Sequence, residues 1–150
     1  MGRPYPYGQA EHSYGGLGGR YGGMNDRLTI EILNDDFSIC KVVDYSEVSL
    51  DNPFVFMACT DEERSLVCSS ALVPSNVTEC ENGWTAFRIV GTLDFSLTGI
   101  IARIASLLAE RKIGVFVVST FNTDYVLIRK ETVEAALSVL LENGYAILRH

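Results

Sequence analysis

Histidine is nearly missing from this chain: of 150 residues only His12 and His150 carry an imidazole, one near each end. That scarcity removes the usual general base, the Ser–His and Cys–His nucleophile pairs and most transition-metal sites. No phosphate-cradling loop and no Gly-x-Gly-x-x-Gly following a strand is present. Carboxylates are plentiful, but none falls in a recognisable acid–base pair. The expectation is a non-enzyme with no catalytic residues, no metal and no cofactor.

Basic residues are also few. The formal net charge is −7, the reverse of the basic footprint that nucleic acid demands. Long apolar runs are lacking, and neither a bilayer span nor a secretory core is visible. The expectation is therefore no nucleic acid, no membrane and a cytoplasmic location. The cysteines, Cys40, Cys59, Cys68 and Cys80, show no C-x-x-C spacing. Three of them sit in apolar, strand-like runs, where a reduced thiol packs as a small hydrophobe. Asn76-Val77-Thr78 fits the glycosylation pattern, but with no leader it reads as a chance match.

What is present divides unevenly. Residues 1–23 hold eight of the thirteen glycines and four of the seven tyrosines, without hydrophobic periodicity. They read as a disordered tail or an upstream remnant, and Met24 opens the domain. Residues 24–82 carry a net −9 and residues 83–150 a net +1, a difference that suits solvated surface, docking of the halves, or a cationic ligand. With 47% hydrophobic residues the remainder has enough apolar surface for a core.

In the first half, Leu28–Leu33 alternates as a half-buried strand, Asn34-Asp35-Asp36 reads as a turn, and Phe37–Val43 as a second strand. Phe54–Thr60 and Arg64–Ser69 read as a hairpin, followed by a short turn at Ala71–Pro74 and a loop through Gly83. No long helix appears, so this half must share a core with the next. There the order is clearer: strand Trp84–Val90, helix Ile100–Arg111, strands Val115–Thr120 and Tyr125–Arg129, helix Glu131–Asn143, strand Tyr145–Arg149. Ile100, Ile104, Leu107 and Leu108 form one helical stripe, with Gly114 as its stop. Val133, Leu137, Leu140 and Leu141 form the other stripe, stopped at Gly144. This is βαββαβ, an α+β, ferredoxin-like arrangement with helices on one face of an antiparallel sheet.

Two turns carry polar groups. In Gly91–Gly99, Gly99 lets a ligand approach the first-turn amides and Asp94 can hold an ammonium; equally, Asp94 and Ser96 can simply cap the helix. In Ser119–Tyr125, Asn122, Thr123 and Asp124 are turn formers beside Phe121, a set that serves either a plain hairpin or a small-ligand clamp.

The runs Leu93–Ile100, Leu107–Glu110 with Ile113-Gly114-Val115, and Ser119–Leu127 together resemble an ACT domain. The match extends to short bacterial proteins with two ACT units in tandem, and the chain is similar to the regulatory ACT pair of aspartate kinase and to the cytosolic arginine sensor of the CASTOR type. There a degenerate first unit carries a segment like Asp61–Cys68 and a stretch like Ala71–Pro74. The resemblance implies a degenerate unit over residues 24–82, a full unit over residues 83–150, and an amino-acid site between them. It assigns Ser65 and Leu66 from the first unit, and Leu93, Asp94, Thr98, Gly99, Thr120, Phe121, Thr123 and Asp124 from the second. In the arginine sensor the counterpart of Asp124 helps hold a cationic ligand. Thr98-Gly99 stands where many ACT turns have Pro-Gly, and the expectation is a pair without a fused catalytic domain. A regulatory homodimer responding to a small molecule is implied; the alternative is an ACT dimerisation module without a ligand.

Overall fold

A computed structural model describes residues 28–90 and 99–150. Two long strands, β1 (Thr29–Val42) and β4 (Val77–Ile89), form its spine. Between them lie β2 (Phe56–Cys59) and β3 (Arg64–Ser69), joined by a tight turn, and a single 3-10 turn at Ser70–Leu72. After β4 come α1 (Ile100–Glu110), β5 (Phe116–Ser119), β6 (Asp124–Arg129), a 3-10 turn at Lys130–Thr132, α2 (Val133–Glu142) and β7 (Ala146–Leu148). The seven strands make one sheet in the order β2-β3-β1-β4-β6-β5, with β7 on the same edge of β1 as β3, beside the first residues of β1.

The expected turn at Asn34–Asp36 is instead an outward bulge inside β1. The register to β4 shifts between Ile32 and Asp36, and all three polar side chains stay exposed while the strand runs on. Likewise the expected loop before Gly83 is strand: Val77, Glu79, Cys80 and Glu81 pair with β1, so a division at residue 82 falls inside β4. Most pairings are antiparallel, as expected, but β7 is parallel to β1. The geometry explains it. In a simple βαββαβ unit the last strand would pair antiparallel with the first, here β4; β1 occupies that place, and β7 docks on β1 instead.

Alternation on the spine separates three cores. Ile30, Phe87, Ile89, Val126 and Ile128 face the helices and pack with Ile104, Leu108, Ala136 and Leu140, all nearly inaccessible. Burial of such side chains stabilises by about 1.5–3 kcal/mol each. The opposite, helix-free face is not left open. Trp84, Ala86, Leu127 and Phe116 meet Phe37, Ile39, Phe56 and Val67 from the first half, which curls over it. Phe56 lies 5.0 Å from Tyr125 between ring centroids, and Phe54 touches both Phe37 and Tyr125 edge-on. The expected shared core is this layer. A third, small cluster of Cys40, Val42, Leu66 and Cys68 is covered by the segment after β1, through Tyr45, Val48 and Val55.

Both helices stop the same way. Tyr145 N–H donates to Leu140 O and Gly144 N–H to Leu141 O, with Gly144 at φ 90°. Ile113 N–H donates to Leu108 O and Lys112 N–H to Ala109 O, with Lys112 at φ 58°. These are Schellman stops, so Lys112, not Gly114, ends α1.

Candidate ligand-binding site

The turn between β5 and β6 is tightly organised. Thr120 N–H and its hydroxyl both donate to Thr123 O at 2.9 Å. The Thr123 hydroxyl donates to Ile89 O at 3.0 Å, which pins the turn against the last residue of β4. Asp124 follows. It is 8% exposed, shares the helix-side face of β6 with Val126 and Ile128, and accepts a 2.6 Å hydrogen bond from Ser119 Oγ. That leaves one carboxylate oxygen without a bond from Ser119. Phe121 projects from the tip of the turn, 83% exposed.

Gly99 lies on the same side of the sheet, at the N-terminus of α1, in the left-handed region at φ 79°. Gly99, as the N-cap, has no side chain with which to cap that end, and Ile100 joins the core cluster that contains Ile89 and Val126. The first amides of a helix have no partner within it. A carboxylate acceptor and a helix N-terminus thus lie on the same, helix-bearing side of the sheet. Leu93, Asp94 and Thr98, expected between them, lie outside the described residues.

The two first-half residues are placed differently. Leu66 is 1% exposed and belongs to the small cluster with Cys40 and Cys68, so its side chain is core. Ser65 shares the face of Val67, toward the helix-free layer, and its carbonyl accepts from the Tyr45 hydroxyl at 2.9 Å. Asp124 faces the other way. Within one chain the sheet stands between Ser65 and Asp124.

One charged cluster escaped the sequence reading. Glu31, Arg88 and Tyr125 are cross-strand neighbours on β1, β4 and β6. Arg88 Nε donates to Glu31 at 2.9 Å, Arg88 Nη1 to the Tyr125 hydroxyl at 3.4 Å, and the guanidinium lies 5.6 Å above the Phe54 ring. His150 bonds the other Glu31 oxygen at 3.0 Å. His150 first and then Arg88 hold the Glu31 carboxyl below its ordinary pKa. Only strand pairing reveals this row, because its members are far apart in the chain. At the far end of β6 a groove of about 330 Å³ runs between Asn34, Lys130, Glu134 and Arg149. Its charges are already paired, Lys130 with Asp36 at 2.9 Å and Arg149 with Glu134 at 2.8 Å. Among the described residues no group of three or more His, Cys, Asp or Glu side chains is arranged to hold a metal ion, and no helix is long and apolar enough to cross a membrane.

Comparison with known proteins agrees with this architecture. The ACT domain family model matches residues 79–142. The crystal structure of protein Atu0741 from Agobacterium tumefaciens is 33% identical, with 83% of this chain and 94% of that one aligned at a TM-score of 0.72. Protein VC0802 from Vibrio cholerae, described as of unknown function and a possible transport protein, shares the fold at 21% identity and TM-score 0.62, over 78% of this chain and 90% of that one. So does the regulatory subunit of aspartate kinase from Thermus thermophilus, at 12% identity and TM-score 0.54, over 75% and 95% respectively. No curated protein matches the chain in sequence. The chain belongs to the ACT-domain family, whose members are regulatory modules that often bind amino acids.

Proposed function

We propose that this protein is a regulatory sensor built from two ACT units, the first reduced to its strands, and that it binds a free amino acid at the sheet end marked by Gly99 and Asp124. The observation that carries this reading is a nearly buried carboxylate on the same face of the sheet as a helix N-terminus whose N-cap, Gly99, has no side chain. The first suits an ammonium, the second a carboxylate. Thr120 and Thr123 fix the turn that presents Asp124; Leu93, Asp94 and Thr98, which the family resemblance adds to the set, lie outside the described residues. Ser65 and Leu66 fall outside this set within a single chain.

The tandem reading is supported by a repeat in the architecture. Strand β2, its turn, β3 and a 3-10 turn recur sixty residues later as β5, its turn, β6 and a 3-10 turn. Thr60 repeats the Thr120 pattern, its N–H donating to Glu63 O at 2.9 Å. The output is a population shift, in which the ligand favours one arrangement of the units and alters what a partner meets. The outer edge of β5, unpaired among the described residues, and the exposed Val117 and Phe121 beside it suit a homodimer that closes the site from outside.

Thermal-shift measurements with each amino acid test the proposal. One of them, at a hundred times its Kd, should add about 2.7 kcal/mol to stability, and Asp124→Asn should abolish that gain while the unliganded protein still folds. No response to any amino acid would leave dimerisation as the function.

A further inference from the structure

We propose that Cys40 and Cys80 form a reversible cross-strand disulfide, making the first half of the molecule a peroxide-responsive staple independent of the ligand site. The two residues are direct partners in the β1–β4 ladder, and their sulfurs lie 3.2 Å apart as free thiols. Opposed residues of an antiparallel pair stand about 4.5 or 5.5 Å apart at Cα, within the roughly 4.4–6.8 Å that a disulfide bridges. The bond therefore needs no strand to move.

The surroundings divide the roles. Cys80 is exposed on a stretch of β4 whose second edge pairs with no strand among the described residues, so an oxidant reaches it. Cys40 is 3% exposed beneath it. Burial first, then the neighbouring Cys80 thiol, pushes the Cys40 thiol up to about 12, so Cys40 stays protonated while Cys80 reacts. The Cys80 thiolate attacks hydrogen peroxide: an S–O bond forms, the O–O bond breaks, and hydroxide leaves and is protonated. Cys80 is now a sulfenic acid, oxidised by two electrons. The Cys40 sulfur gives up its proton and displaces the hydroxyl from Cys80, closing S–S and releasing water.

No buried polar group loses its only partner in this step. Cys40 donates to Cys80, and Cys80 donates to Asn82 Oδ1 at 3.4 Å. Both donors are consumed, but Ser38 Oγ still donates to the same Asn82 oxygen at 2.6 Å. The closed ring contains the whole β2–β3 hairpin, so the bridge restrains the half that has no α-helix among its described residues.

The test is to treat the full chain with a small excess of hydrogen peroxide, quench, unfold and count thiols. The four thiols should fall by two, proteolytic peptides should contain a Cys40–Cys80 link, and dithiothreitol should restore the starting count. The oxidised form should melt higher, by on the order of 10 °C. Cys80→Ser should abolish the link and the shift, and Cys59→Ser should keep both. Over-oxidation of Cys80 without a bridge, a Cys40–Cys68 link, or chains joined through Cys59 would each overturn the proposal, and peptide mapping of the wild type reads all three without relying on any variant.

Discussion

The two hairpins, β2–β3 and β5–β6, are near copies in backbone and opposite in circumstance. Each has a threonine bonded to the carbonyl three residues on, and each runs into a 3-10 turn. The second is backed by α1 and α2. Among the described residues the first is backed by no α-helix but by the segment around Tyr45, Val48 and Val55, with Val73 and Val77. At matching positions the second has Asp124, nearly buried and bonded to Ser119, whereas the first has Arg64, exposed and reaching Val43 O at 3.4 Å. Strand pairing and turn chemistry are thus enough to repeat the frame. A helix N-terminus on the same side of the sheet as an acidic side chain is what separates a candidate site from a scaffold.

If the halves are one cooperative structure, the largest effect comes from the layer they share. Phe37 is fully buried there, and Phe37→Ala should cost about 3–5 kcal/mol. Calorimetry should show one transition moving down; two separated transitions would break the comparison by making the halves independent. A smaller effect contrasts the two Schellman stops. Gly144→Ala forces a side chain into the left-handed region and should cost about 1–2 kcal/mol. Lys112→Gly relieves the same penalty at the end of α1 and should raise stability by about 0.5–1 kcal/mol in denaturant titrations. The smallest effect concerns the row that ties β1 to β4 and β6. Because the folded Glu31 carboxyl titrates below its ordinary value of 4.5, its contribution is present above that pH and is lost as pH falls through the folded value. Glu31→Gln should therefore flatten the acid limb of the stability profile and leave its slope near neutrality unchanged. An unchanged acid limb would remove this link between the halves.

Much of the second half was legible in sequence because its signals are local. The stripe of Ile100, Ile104 and Leu108 and that of Val133, Leu137 and Leu140 face the sheet as read. The spine was not legible. Asn34-Asp35-Asp36 has turn composition, yet pairing on both sides carries the strand past it as a bulge. Glu79–Asn82 is polar because that stretch of β4 is exposed, which hides it from any search for alternation. Cys59 shows the converse: its apolar neighbours suggested burial, but β2 is an edge strand and the thiol is exposed. Of the proposed site, Gly99, Thr120, Thr123 and Asp124 could be named as candidates from sequence because they belong to two short turns of polar and glycine residues. Leu66 was misleading because which face a strand residue takes depends on its partners, here Cys40 across the ladder.

The wedge of β1 between β4 and β7 has a consequence for how the molecule is made. During synthesis β7 emerges more than a hundred residues after the strand that seats it, so the sheet is sealed late and by a contact of very long range, the slow kind to form. Until then the flank of β1 offers open backbone groups to any passing strand. Excising the helical half alone would not spare that hazard: it would leave β7 without its seat.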